Sequence, residues 1–88
     1  MVKEVSFEDI KKLIIECANV TTDFNPDSIL KDDLNIDSLY AVEMILELEE
    51  KFSINIQIEE MEDLIKVQDV IDLVNRKLRG WLRWILKK

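Results

Sequence analysis

Eighty-eight residues carrying 12 basic and 19 acidic groups, net −7, make one small domain near the length at which a single core is only marginally stabilising. The acidic balance argues against nucleic-acid binding, because phosphates would be repelled. A single Cys excludes an intrachain disulfide; with no His beside it, zinc binding is disfavoured and the usual general base is missing.

No charged, apolar and small-residue succession opens the chain, and no apolar run is long enough to cross a bilayer, so the expected compartment is a reducing cytoplasm. Charge is unevenly placed. Residues 1–75 hold all 19 acidic groups and 6 lysines, net −13, whereas residues 76–88 hold 6 basic groups and no acid. An acidic body draws partners with basic patches and speeds their encounter in a salt-dependent way.

Ser6 precedes Phe7, Ile10, Leu13, Ile14 and Cys17, a three-and-four spacing that predicts a first helix over 6–18, capped by Ser6 with Asp9 three residues on. Cys17 lies on the apolar stripe and reads as a small core residue, since no His is present to activate it. From Asn19 to Asp37 the pattern breaks. A structureless loop of that length is uncommon, so a short turn of helix is expected near Pro26–Leu30, with Ile29, Leu30, Leu34 and Ile36 as anchors.

The second helix is predicted over 38–52. Leu39, Val42, Ile45, Leu46, Leu48 and Phe52 recur at helical spacing while Glu43, Glu47, Glu49 and Glu50 line the rest, giving one buried face and one carboxylate-rich face. Ser38 stands where this helix begins, at the end whose free N–H groups and dipole favour an anion. Ser53–Ile58 then alternates apolar and polar and could be a strand by pattern alone. Without a pairing partner, an extended connector that turns Ile54 and Ile56 inward is more economical, followed by a short third helix over 59–63. Val67, Val70, Ile71, Val74, Leu78, Trp81 and Ile85 carry a helical stripe onward, with Asp69 and Asp72 early and Arg76, Lys77 and Arg79 late, the order the dipole favours. A fourth helix is predicted over 67–79; Gly80 either ends it as a C-cap or is absorbed at a cost of about 1 kcal/mol.

Asp33-Leu34, Asp37-Ser38-Leu39, Val42-Glu43, Leu48-Glu49-Glu50 and Phe52 together resemble the central stretch of acyl carrier proteins at that family's spacing, and the resemblance extends over residues 5–78. It implies an all-α, small four-helix bundle with a long loop between helices 1 and 2 and a short third helix. The carrier domain would occupy residues 1–79 and a cationic amphipathic extension residues 80–88. It also implies that Ser38 bears 4′-phosphopantetheine from coenzyme A, attached as a phosphodiester by a phosphopantetheinyl transferase that uses a divalent metal. Acyl groups would ride on the arm as thioesters, and the chain itself would not be an enzyme.

The same resemblance implies partners among acyl-transfer and fatty-acid or polyketide synthesis enzymes with basic docking patches. They would meet Asp37, Leu39, Glu43, Leu46, Glu49 and Glu50. The matching acyl pocket comprises Leu30, Ile45, Leu48, Ile56, Met61, Leu64 and Val70. A monomer with no metal site is expected. The departures are specific: Asn35 stands where Gly is common, and Asn is the best substitute in a left-handed turn. Lys31 replaces a frequently apolar residue, Tyr40 stands where an acid is frequent, and Ile65-Lys66 offers no Ser or Thr cap to the fourth helix. Met61 and Val70 are larger than usual, implying a tight cavity suited to short acyl groups.

Plainer readings stand beside these. Ser38, or Asp37 before it, also reads as an N-cap, the glutamates read as a solvated face, and the pocket residues are equally what an ordinary core would be. A hydrolase would lack a base for its serine. Asp33-x-Asn35-x-Asp37 copies the opening of a calcium loop, yet Ser38 stands where Gly is needed and Met44 where a bidentate Glu belongs. An acidic helical adaptor, membrane-associated through the tail, shares every fold-level feature. In that tail Leu78, Trp81, Leu82, Trp84, Ile85 and Leu86 share an apolar arc, at about 100° per residue, with Arg76, Arg79, Arg83 and Lys87 opposite. Residues 76–88 thus suit a membrane surface or an acidic groove. They could also cover their own domain, with their cations near the acidic second helix, or be an appended non-native sequence.

Overall fold

The computed structural model describes the backbone of residues 4–86 and the side chains of residues 4–80. Among the described residues five helices follow in order: α1 (Phe7–Ala18), α2 (Leu30–Leu34), α3 (Ser38–Phe52), α4 (Ile58–Met61) and α5 (Val67–Leu86). No strand is found among the described residues, only an isolated bridge between Ile29 and Lys66. The core lies between α1, α3 and α5. Ile10, Ile14, Met44, Leu48, Val67, Val70 and Val74 are its fully buried side chains.

α1 begins where reciprocal capping dictates. The Ser6 hydroxyl accepts from the Asp9 N–H at 3.4 Å and the Asp9 carboxylate accepts from the Ser6 N–H at 3.1 Å, satisfying two donors the helix cannot. Asn19, left-handed at φ 54°, ends it. Just upstream, the Val5 N–H donates to Asn75 Oδ1 at 2.7 Å and Asn75 Nδ2 donates back to the Val5 carbonyl at 3.2 Å, which ties the approach segment to α5.

The long connection is ordered by side chains from both ends. Phe24 packs edge-on against Phe7 with ring centroids 5.9 Å apart, and Lys11 spans both rings while pairing with Asp23 at 2.6 Å. The expected helical turn at Pro26–Leu30 is instead a tight turn followed by an extended Ile29, and helix starts only at Leu30. The physical reason is a competing use of this backbone: the carbonyls of Pro26 and Ser28 accept from Gln68 and Val67 at 2.8 and 3.0 Å. With the Asp69 carboxylate accepting from Ile65 and Lys66, they satisfy the start of α5, which has no Ser or Thr cap of its own.

On α3 the buried face is Met44, Ile45 and Leu48, flanked by half-buried Ala41 and Phe52. This corrects the predicted face, because Leu39, Val42 and Leu46 are 65%, 44% and 58% exposed. Spacing admits two apolar stripes on this helix, and contact with α1 and α5 selects the second. Beyond it the chain is extended, with Ile56 buried and Ile54 half-buried. The short helix spans Ile58–Met61 rather than 59–63, because after Met61 the backbone tightens into i→i+3 bonds, Asp63 to Glu60 and Leu64 to Met61.

α5 does not stop at residue 79. Gly80 is not left-handed, so it forms no C-cap, and the helix absorbs it and continues to Leu86. The tail's predicted apolar arc at Trp81–Leu86 lies outside the described side chains. Its described cations pair away from α3: Lys77 and Arg76 reach Glu60 of α4 at 2.7 and 3.5 Å, and Arg79 reaches Glu4 at 2.8 Å.

Candidate functional site

The site is built by the turn that joins α2 to α3. Asn35 adopts the left-handed conformation (φ 55°, ψ 34°), and its N–H and that of Ile36 both donate to the Leu30 carbonyl. Buried Ile36 anchors the turn. The chain then straightens at Asp37, whose Oδ1 accepts from the N–H groups of Leu39 and Tyr40 at 3.1 and 3.2 Å. Asp37 is therefore the cap, and Ser38 is the first helical residue.

That division of labour decides the reading of the serine. Ser38 is exposed, and its hydroxyl has no hydrogen-bond partner among the described residues, so capping does not account for it. The result is a primary hydroxyl displayed in water at the positive end of a 15-residue helix, where an attached phosphate gains about 0.3–1 kcal/mol from the dipole.

Two surfaces adjoin it. Along α3, Leu39, Val42 and Leu46 form an exposed stripe at i, i+3 and i+7, with exposed Glu43, Glu47 and Glu50 beside it. Glu49 departs from that group: it is half-buried, and its Oε2 accepts from the Ile56 N–H at 2.9 Å, fastening the α3–α4 connector. On the other side a cleft of about 290 Å³ opens between α2, α3 and the segment from α4 to α5. Ala41, one turn along from Ser38, forms part of its wall with Met44.

Of the predicted pocket residues, Leu30, Met61 and Leu64 line this cleft. Ile45, Leu48, Ile56 and Val70 do not; they are buried in the core. The sequence reading missed Ile29, Ile36, Ala41, Met44 and Ile65, although Ala41 and Met44 share a helical side with Leu48 and could have been found from that spacing. Lys31 and Asp32 bring charge to the lining. Across the molecule, burial and then nearby Glu47 push the Cys17 thiol up to about 11, so at neutral pH it is protonated and a poor nucleophile.

A helical bundle that displays an unengaged serine at a helix start, between an acid-rimmed apolar stripe and an apolar cleft, has the form of a carrier that is modified by another protein. The family described as "Phosphopantetheine attachment site" matches residues 8–74. Acyl carrier proteins of Helicobacter hepaticus and Thermosynechococcus vestitus are 43% and 40% identical, covering 75% and 81% of this chain and 88% and 89% of theirs. The solution structure of an acetyl actinorhodin acyl carrier protein from Streptomyces coelicolor has the same fold. Its TM-score is 0.76 at 21% identity, over 91% of this chain and 98% of that one. The chain belongs to the acyl carrier proteins. It is a carrier whose cofactor is phosphopantetheine, and not an enzyme.

Proposed function

We propose that Ser38 is the residue that receives phosphopantetheine, and that the exposed face of α3 docks the enzymes that load and unload the carrier. The observation that carries this is the exposed Ser38 hydroxyl, left free because Asp37 caps the helix. In the attachment step the Ser38 oxygen bonds to the pantetheine phosphorus of coenzyme A and the pyrophosphate link breaks, releasing adenosine 3′,5′-bisphosphate; the hydroxyl proton passes to solvent. Once bound, the group supplies the thiol on which acyl groups are held as thioesters.

The residues of this chain contribute position and recognition. Asp37, Glu43 and Glu50 offer carboxylates to basic partners, and Leu39 and Leu46 offer the apolar centre of the contact. Glu49 contributes less, since one of its oxygens is committed to Ile56. Partners of this chemistry are a phosphopantetheinyl transferase and enzymes of fatty-acid or polyketide synthesis.

Incubation with coenzyme A and a broad-specificity transferase, followed by intact-mass measurement, tests the assignment. One phosphopantetheinyl group should be added to the wild type and none to Ser38→Ala. An unmodified wild type, or a modified Ser38→Ala, would overturn it. The finer reading is a preference for short acyl groups, supported by Met61 within a cleft of about 290 Å³. Solution spectra of carriers loaded with progressively longer chains should show the longer ones leaving the cleft, and undiminished burial of a long chain would defeat it.

A further inference from the structure

We propose that the C-terminal end of α5 lies on anionic lipid surfaces as an interfacial helix. This goes beyond carrier function and does not depend on Ser38 being the attachment site.

The core ends before the helix does. Val74 is fully buried, Leu78 half-buried, and Arg79 and Gly80 are exposed. Nothing lies within 4 Å of the place a Gly80 side chain would occupy. Yet the backbone helix runs on to Leu86. At 1.5 Å per residue that carries it about 12 Å beyond Leu78.

Helical register puts positions 78, 81, 82 and 85 in phase with Val67, Ile71 and Val74, and the residues there are Leu, Trp, Leu and Ile. In sequence, the apolar periodicity of the core stripe therefore continues past the core. Positions 76, 79 and 83, in the opposite phase, are all Arg, and residues 76–88 contain no acid. Cations in one phase, with Trp and aliphatic residues in the other, are the composition of a helix that binds in the plane of a membrane interface. It does not cross: no helix among the described residues is long and apolar enough.

Two other occupants are less well matched. The chain's own acidic α3 does not receive the tail, because α5 is continuous and its described cations pair with Glu60 and Glu4. The α3 face of a second copy offers charge complementarity but only the narrow stripe Leu39, Val42 and Leu46. Against it stand five apolar residues among the six from Trp81 to Leu86. The acidic body does not veto lipid contact either. With a Debye length of about 8 Å at physiological ionic strength, only the carboxylates of the body nearest the surface are repelled by it.

The chain's only two tryptophans, Trp81 and Trp84, are in this segment, so tryptophan emission of the full-length protein, excited where Tyr40 does not absorb, reports on it alone. With vesicles of phosphatidylcholine plus phosphatidylglycerol, emission should shift to shorter wavelength and the protein should co-sediment, with affinity falling about tenfold or more in high salt. The charge-reversed Arg83→Glu, Lys87→Glu protein, checked for an unchanged helical spectrum, should bind at least about tenfold more weakly. Absence of a shift with anionic vesicles would overturn the proposal, as would equal binding to pure phosphatidylcholine. A shift without vesicles that grows with protein concentration, and disappears in Leu46→Asp, would assign the segment to a second copy instead.

Discussion

The two faces of α3 carry the same kinds of residue and have opposite fates. Met44, Ile45 and Leu48 are 1%, 6% and 0% exposed, whereas Leu39, Val42 and Leu46, on the same 15 residues, are 65%, 44% and 58% exposed. Removal from water explains the first set, at about 1.5–3 kcal/mol for each large side chain buried. The second set leaves about half of its surface in water and gains much less from folding. An apolar stripe left in water, edged by Glu43, Glu47 and Glu50 and leading away from the Ser38 hydroxyl, is the surface that the proposed docking of partner enzymes would cover.

The comparison breaks if leucines on the two faces behave alike. Leu48→Ala should cost about 2–5 kcal/mol in urea unfolding, the transfer term plus the cavity it leaves. Leu46→Ala should stay within about 0.5 kcal/mol. In the transferase reaction the ranking reverses: Leu46→Ala, still folded, should lower kcat/KM by about tenfold, as loss of the apolar centre of a small interface does. Equal destabilisation by both substitutions, or unimpaired loading of Leu46→Ala, would abolish the distinction between a folding face and a docking face.

Asp37 sharpens the same comparison at the end of the helix, where capping and the proposed recognition meet in one carboxylate. Asp37→Ala loses the bonds to the N–H groups of Leu39 and Tyr40 and should cost about 1 kcal/mol. Asp37→Asn keeps a capping oxygen but removes the charge, so stability should be largely restored while loading stays impaired. If Asn restores both, the residue is a cap and nothing more.

How much of this was legible without coordinates varied by element, for physical reasons. α1 and α3 begin where their capping residues stand, because caps and 3.6-residue periodicity are local properties. What satisfies the start of α5 was not legible: the carbonyls that do so belong to Pro26 and Ser28, far earlier in the chain, and that same commitment delays α2 to Leu30. On α3, Ile45 and Leu48 are buried as their spacing suggests but Leu39, Val42 and Leu46 are not, because its apolar residues form two stripes and only tertiary contact chooses between them. Ser38 stood out by its neighbours, but that its hydroxyl is free rather than capping required knowing that Asp37 does the capping. The cleft was legible in part, at Leu30, Met61 and Leu64, where residues on separate elements happen to face one gap.

The smallest expected effect concerns the opposite wall of that gap. No residue of α4 is buried; it is held by half-buried Met61 and by Glu60, whose carboxylate accepts from the Gln57 N–H at 3.0 Å and pairs with Lys77 at 2.7 Å and Arg76 at 3.5 Å. The Lys77 hydrogen bond, with that of the Gln57 N–H next, holds the Glu60 carboxyl below its ordinary 4.5. A carboxyl with a lowered folded pKa contributes stability that is fully present above its unfolded value and is lost as pH falls through the folded one. Glu60→Gln should therefore cost less than about 1 kcal/mol at neutral pH, and the gap between variant and wild type should close in acid. Its effect should be local as well. Amide exchange should quicken across residues 58–64, where few apolar contacts oppose opening, and stay unchanged at Met44 and Leu48. Exchange that quickens equally in α3 would mean that α4 opens only with the whole bundle, and that the cleft has no separately movable wall.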